Sequence, residues 1–322
     1  MMSSKPTILV TRKLPDAVHE RLLSDYNADL NPEDVLYDAD EIVWRAQSAD
    51  GILPCHTEHF TADLVSRLPE NIKIIANFSV GVDHCDLDAC RNHSIVVTNT
   101  PDVLSDATAE TAILLMLGAA RRASEGERMM RDGTWKDWSP SFMVGTGITG
   151  KTLGIIGMGR VGQTLAERAR GFGMTILYHN RSRLGEGLEC GAQFFEAPDD
   201  MLPQCDVLSL NCPATPENRG MLNASRLNKL PAGAIVINTA RGALINEPDL
   251  IQALTSGHLA AAGLDVYVNE PGGNPDIAAL PNTFLLPHIG SANKETRNAM
   301  GFRALDNLDT FFAGRTPGDR VV

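Results

Sequence analysis

The 322-residue chain is short of positive charge: 28 Lys and Arg stand against 40 Asp and Glu, a formal net charge of -12. Such a surface repels phosphate backbones and anionic bilayers, which argues against nucleic acid or membrane as a partner. An anionic ligand therefore has to be held by a local cluster of Arg or backbone N–H groups. Long apolar runs are also missing. The longest, Ala112 to Ala120, stops at Arg121 and Arg122, well short of the roughly 20 residues that cross a bilayer. Near the start, only Ile8 to Val10 is apolar before Thr11-Arg12-Lys13, too little for a signal-peptide core, so a cytoplasmic location is expected. No C-x-x-C pair occurs among the six cysteines. Cys85 and Cys90 lie near His84 and His93, but at a spacing that fits no common metal site, so neither disulfides nor a metal are expected. The 28 Gly and 18 Pro follow no period, which excludes collagen-like and low-complexity architectures.

What is present is a globular composition, 43% hydrophobic and 21% charged. At roughly 100 to 200 residues per domain the length predicts two domains. Short aliphatic runs at Thr7 to Val10, Gly51 to Leu53, Lys73 to Ala76 and Ile95 to Thr98 alternate with helical patterns, the signature of an α/β fold with parallel strands. A second series starts after Gly150, at Leu153 to Ile156, Thr175 to Tyr178, Asp206 to Leu210, Ala234 to Asn238, Ala261 to Asp265 and Thr283 to Leu286, and predicts a six-stranded doubly wound sheet. Between the two series, Ala109, Ala112, Ile113, Met116 and Ala120 share one face and predict a long buried helix from Ser105 to Arg131 that serves as a hinge. The terminal helical pattern, Asn293 to Phe312, follows the last strand. The expected division is a discontinuous first domain, 1–100 with 289–322, around a dinucleotide-binding domain, 101–288.

The pattern G-x-G-x-x-G occurs twice, from Gly145 to Gly150 and from Gly157 to Gly162. A dinucleotide fingerprint follows a strand and opens a helix, because its glycines let the backbone approach a pyrophosphate at the helix N-terminus. Only Gly157-Met158-Gly159-Arg160-Val161-Gly162 has that context, after KTLGII and before QTLAERARGFG. The first match reads as a connector. At the end of the next strand, where an NAD-preferring fold carries Asp or Glu, the sequence has His179-Asn180-Arg181-Ser182-Arg183, with no carboxylate until Glu186. Two guanidinium groups and a hydroxyl suit a 2'-phosphate, so NADPH is the expected cofactor, with NADH the weaker alternative.

Three polar clusters follow later strands: Asn238-Thr239-Ala240-Arg241-Gly242, Asp265 to Glu270-Pro271, and Pro287-His288-Ile289-Gly290-Ser291. Each has an ordinary explanation, as a surface charge, a turn and a core histidine. Their joint occurrence at successive strand ends, where open α/β sheets bind ligands, favours chemistry.

With these residues in view the chain resembles the D-isomer-specific 2-hydroxyacid dehydrogenases, in particular their glyoxylate/hydroxypyruvate reductase branch. The resemblance rests on SVGVDHCD (79–86), DATAET (106–111), GKTLGIIGMGRVG (150–162), INTARG (237–242), AAGLDVYVNEP (261–271) and LPHIGSA (286–292), and so covers nearly the whole chain. It implies two Rossmann-like or flavodoxin-like domains with the active site in the interdomain cleft. Arg241 would bind the substrate carboxylate and carbonyl oxygen, and His288 would protonate that oxygen as hydride arrives. Glu270 would pair with the imidazole, raising its pKa and orienting it. Val80 and Gly81 would offer backbone N–H groups to the substrate. Asp265 would orient the nicotinamide carboxamide, and Cys212, Pro213, Thr239, Ala240, Thr108 and Gly290 would line the cofactor cleft. The segment Gly133 to Pro140 holds two of the three tryptophans. The resemblance puts Trp138 at a homodimer contact near the substrate.

The activity so implied is reduction of small 2-oxo acids to D-2-hydroxy acids. D-lactate and phosphoglycerate dehydrogenases share the Arg, Glu, His set and stand as alternatives. Formate and phosphite dehydrogenases are disfavoured because nothing departs from that set toward theirs. A nucleotide-sensing corepressor scaffold of the same fold is the non-enzymatic alternative; it calls for extended tails, whereas the first strand pattern begins at Thr7.

Overall fold

The computed structural model describes residues 5–322. The chain divides into two compact units, one running to Leu104 and resuming over Ala292–Val322, the other Ser105–Ser291. Compared with the expected boundaries at 100/101 and 288/289, both junctions lie a few residues later. Val103 and Leu104 pack into the core of the first unit, and the Ile289 and Gly290 amides are bonded to Asp265 of the second.

The first unit is built on a five-stranded sheet of β1 (Thr7–Val10), β2 (Asn27–Asp29), β3 (Gly51–Leu53), β4 (Ile74–Ala76) and β5 (Val96–Thr98), in the order β2-β1-β3-β4-β5. All pairings are parallel, and this is the flavodoxin-like order. Alternate residues go to opposite faces. Leu9, Ile52, Ile75 and Val97 enter one apolar layer, and Ile8, Val10, Leu53, Ile74 and Ala76 enter the other. Burial on both faces explains why these strands read as continuous aliphatic runs. β2 escaped the sequence reading because it is a short edge strand, Asn-Ala-Asp, with no buried residue. The terminal helix Lys294–Phe312 belongs to this unit, where it inserts Met300, Ala304, Leu305 and Leu308 beside Val18 and Leu22. After it the chain runs antiparallel to β5, with Val321 N–H on the Val97 carbonyl at 2.8 Å.

The second unit has seven strands, one more than expected: β6 (Thr152–Ile156), β7 (Thr175–His179), β8 (Gln193–Phe195), β9 (Val207–Leu210), β10 (Ala234–Asn238), β11 (Leu259–Leu264) and β12 (Thr283–Leu285). The added strand, β8, is again a three-residue edge strand with no fully buried residue, too short to show a period. The order β12-β11-β10-β9-β6-β7-β8 is parallel throughout. Its first strand in sequence, β6, lies between β9 and β7, which is the dinucleotide-binding arrangement.

The helix expected from Ser105 to Arg131 is two helices. Ser105–Ala120 is buried on most sides; it packs on the helix Arg160–Arg170 and on β10 and β11. It ends where Arg122 takes a left-handed backbone, φ 56°, and forks onto Glu125 at 2.8 and 2.9 Å. The second helix, Ala123–Arg131, has no buried residue. Among the described residues no helix is long and apolar enough to cross a membrane.

Leu305 is fully buried in the first unit. Leu305→Ala should therefore cost about 2–5 kcal/mol of that unit's stability, read as a lower urea midpoint. An unchanged midpoint would mean that the terminal helix is no part of its core.

Candidate active site

Parallel strands end on one edge of a sheet, and the loops leaving that edge of the second unit carry the predicted clusters. At the end of β6, Gly157 has φ +99°, and a Cβ there would lie 2.5 Å from the Cys212 nitrogen. Only glycine fits this corner. A Cβ at Gly162 would lie 2.4 Å from the Gly157 carbonyl oxygen, so the helix Arg160–Arg170 sits close against the turn, whereas a Cβ at Gly159 would meet nothing within 4 Å. That helix opens with no side-chain cap and no acidic residue in its first turn. An open cradle beside uncapped N–H groups, with Met158, Arg160 and Val161 supplying its backbone, fits a pyrophosphate. The other glycine pattern, Gly145 to Gly150, lies in the irregular connector before β6.

At the end of β7 the structure redistributes the expected phosphate ligands. The Asn180 side-chain oxygen accepts the Met158 N–H at 2.7 Å and so braces the glycine loop. Arg183 is already engaged: its Nε and one Nη donate to Glu189 at 2.7 and 3.1 Å. Tyr178 donates its hydroxyl to the same carboxylate at 2.7 Å. Glu189, the carboxylate that takes Arg183, lies three residues beyond Glu186, the first carboxylate after β7 in the sequence. Arg181 and Ser182 are exposed, and the Arg181 guanidinium forms no ion pair among the described residues.

The polar clusters after β10, β11 and β12 interlock. Buried Asn238 donates to the Arg241 carbonyl at 2.8 Å and accepts the Ala240 N–H at 3.0 Å, shaping the turn that presents Arg241. The next residue must be glycine, since a Cβ at Gly242 would lie 1.9 Å from the Tyr267 carbonyl carbon. This close approach brings the Arg241 turn against the segment that carries Glu270. Asp265, 1% exposed, accepts the Ile289 and Gly290 N–H groups at 2.7 Å each, one on each oxygen. Burial raises its carboxyl pKa, opposed by those two N–H groups and by His288.

Between these amides and the strand lies His288, with a left-handed backbone, φ 54°, a conformation that costs of order 1–3 kcal/mol and clusters at functional sites. Its Nδ1 is 2.5 Å from Glu270 Oε2, while Glu270 Oε1 accepts the Tyr267 N–H at 2.7 Å. With Nδ1 committed to a carboxylate, Nε2 is the nitrogen that can exchange a proton.

Two positioning residues were not anticipated. The Tyr267 hydroxyl donates to the Leu286 carbonyl at 2.9 Å, just before Pro287-His288, and burial first of all pushes its pKa up to about 12. Glu247 accepts the Val268 N–H at 3.0 Å and the Asn274 side chain at 2.7 Å, pinning the loop around Glu270. A signal for Glu247 was present, since Asn-Glu-Pro occurs at 246–248 as well as at 269–271.

The remaining expected cofactor contacts lie along the same edge. Thr239 donates to Asn211 at 3.4 Å. Thr108, on the helix Ser105–Ala120, lies 3.6 Å from where a Cβ on Gly290 would be. Burial pushes the Cys212 thiol pKa up, and Cys212 and Ala240 both pack at the margin of the same apolar cluster. Cys85 and Cys90 are raised by burial to about 12 and about 11, which suits packing.

In the first unit, the Val80 carbonyl accepts from Asn99 at 2.8 Å and the Gly81 carbonyl from Ser79 at 2.7 Å. Trp138 is 69% exposed, and the Trp135 indole donates to the Asp137 carbonyl at 2.7 Å.

The family model described as D-isomer specific 2-hydroxyacid dehydrogenase, NAD binding domain, matches residues 113–290. The glycerate dehydrogenase of Hyphomicrobium methylovorum is 44% identical over 313 residues, 97% of each chain. Among solved structures, a glyoxylate reductase from Paecilomyes thermophila superposes with a TM-score of 0.89 at 36% identity, over 100% of this chain and 99% of that one. An NADPH-dependent glyoxylate/hydroxypyruvate reductase from Sinorhizobium meliloti, solved with NADP and malonate, gives 0.86 at 34% identity, over 99% and 97%.

Glu189 provides a pH test of the loop after β7. Hydrogen bonds from Arg183 and then Tyr178 lower its carboxyl from 4.5 to about 2. A depressed carboxyl stabilises the fold above its unfolded value and loses that contribution as pH falls through its folded one. Arg183→Ala should thus be less stable than the parent chain at neutral pH, and the gap should close between about pH 4.5 and 2 in urea unfolding. A gap independent of pH would refute the pairing.

Proposed function

Because the chain belongs to the D-isomer specific 2-hydroxyacid dehydrogenase family, we propose that it reduces small 2-oxo acids, glyoxylate and hydroxypyruvate foremost, to D-2-hydroxy acids. The observation that carries this reading is His288, held in a left-handed backbone with Nδ1 2.5 Å from Glu270, at the strand end beyond Asp265 and beside the turn that presents Arg241. The nicotinamide dinucleotide, when bound, supplies the hydride that reaches the carbonyl carbon. Arg241 holds the substrate carboxylate and polarises the carbonyl oxygen, a task for a permanently charged group with several donors. Proton transfer from His288 Nε2 to that oxygen completes the alcohol. Glu270 stabilises the imidazolium and fixes its orientation. Asp265, Thr108, Thr239, Ala240, Cys212, Pro213 and Gly290 are assigned to the nicotinamide end of the cofactor. Val80 and Gly81 are assigned to the substrate carboxylate, because both carbonyls of their turn are taken while their N–H groups find no acceptor among the described residues. Reduction of hydroxypyruvate yields glycerate, so a relative named glycerate dehydrogenase fits the same chemistry run in reverse.

NADPH is the cofactor we assign, with NADH the weaker substrate. In support, β7 is followed by Asn180, which braces the glycine loop, where an NAD-preferring fold has a carboxylate. The burden of the 2'-phosphate falls on Arg181 with Ser182, since Arg183 is shared with Glu189. The NADPH dependence of the similar Sinorhizobium meliloti enzyme is in line with this. The exposed Trp138 is assigned to a homodimer contact near the substrate, an amphipathic ring being suited to such a place.

One steady-state experiment tests the chemistry and the cofactor together: glyoxylate and hydroxypyruvate, each with NADPH and with NADH. His288→Ala should lower kcat by about 10²- to 10⁴-fold with cofactor affinity nearly intact. Arg181→Ala should raise the NADPH KM and leave that of NADH unchanged. Absence of turnover over a panel of 2-oxo acids would overturn the enzyme reading and favour a nucleotide-sensing scaffold; equal kcat/KM for the two cofactors would remove the NADPH assignment. For the dimer, sedimentation at micromolar concentration should return twice the chain mass, and a single-chain mass would disprove it.

A further inference from the structure

The loop between Arg183 and Glu189 reads Leu-Gly-Glu-Gly-Leu. Its two glycines, Gly187 with φ 89°, let the chain turn back so that Glu189 returns to the end of β7. There it meets Tyr178, a fully buried residue of β7 whose ring lies 5.2 Å from that of Phe194 on β8. The Tyr178 hydroxyl accepts the Leu184 N–H at 3.1 Å and donates to Glu189 at 2.7 Å. The carboxylate is therefore the anchored partner of the ion pair, with a side chain 17% exposed, and Arg183, at 66%, is the one that comes to it. Two of the three guanidinium nitrogens are used in doing so.

This pairing changes the charge that a ligand meets beside the glycine loop. The turn holds two arginines, and Glu189 neutralises one of them. Of the nearby carboxylates, Glu186 is exposed and forms no ion pair among the described residues. Glu217, on the loop after β9, is lowered first by Thr215 and least by Arg181. A phosphate monoester carries about two negative charges at neutral pH, so it gains from every cation left open and loses for each one closed. A ribose hydroxyl, being neutral, is nearly indifferent to that count.

We propose that Glu189 is a specificity-determining residue for the cofactor. By holding Arg183 it withholds one cation from the 2'-phosphate, which keeps the preference for NADPH below what two open arginines would give and keeps NADH usable. The inference rests on the NADPH reading given above and concerns the strength of that preference.

Cofactor kinetics and nucleotide binding test it together. In Glu189→Gln the NADPH-to-NADH ratio of kcat/KM should rise about three- to tenfold, because a released guanidinium can make a charge-assisted bond to the phosphate. In calorimetric titration 2'-AMP should bind this variant more tightly by a similar factor, while 5'-AMP, which lacks the 2'-phosphate, stays the same; a merely structural disturbance would move both nucleotides. The double variant Arg183→Ala with Glu189→Gln removes both charges and leaves no arginine unpaired, so it reads the pair even where Glu189→Gln is too unstable to assay. Its ratio should return close to that of the parent chain. An unchanged or lowered ratio in Glu189→Gln would overturn the proposal, as would loss of 2'-AMP binding in the double variant, since Arg183 would then be holding the phosphate itself. Equal use of both cofactors by the parent chain would remove only the NADPH assignment, and the 2'-AMP affinities would still decide the role of Glu189.

Discussion

The buried carboxylate of Asp265 is the constraint on which the geometry of the second unit's ligand edge depends. A carboxyl group that is 1% exposed is costly to bury unless its oxygens are satisfied, and here each oxygen takes one backbone N–H, from Ile289 and from Gly290. Those two bonds hold the chain in the sharp bend that gives His288 its positive φ. Once the backbone is fixed, the imidazole can meet Glu270, which is itself braced by the Tyr267 amide. The strain at His288 is offset by the bonds of its neighbours Ile289 and Gly290 together with its own contact to Glu270.

The same economy of position runs along the whole edge. All strands of the sheet are parallel, so every loop that leaves a strand's C-terminal end emerges on one side. β6 is the strand at which the order reverses, and its loop is the one with the open glycine cradle. Close backbone approach at Gly157 and Gly242, where a side chain would overlap Cys212 or Tyr267, brings loops from separate strands into register with one another.

Net charge describes neither unit's local chemistry. In a chain of -12, the cations that matter are sorted by whether a carboxylate has already claimed them. Arg183 and Arg12 are claimed, by Glu189 and Asp34, while Arg181 forms no such pair among the described residues. Counting basic residues in a turn therefore overstates the positive charge a ligand meets, and in the turn after β7 it did so by one arginine.

The alternation of aliphatic runs with helical patterns determined the fold class, because strands buried on both faces must be continuously apolar. Glycine spacing marked the turn after β6, since a Cβ at Gly157 or Gly162 would overlap the backbone there. Residue type and strand-end position picked out Arg241, Glu270 and His288. Edge strands β2 and β8 stayed hidden, being three residues long and not buried, and the break at Arg122 was masked by helical spacing that continues past it. What only the tertiary structure decided is which groups are spent on one another: Asp265 on amides 24 and 25 residues away, Tyr267 on the Leu286 carbonyl, Arg183 on Glu189. Hydrogen bonds depend on distances of a few tenths of an ångström and on direction, and such distances exist only once the strands are paired and their loops packed.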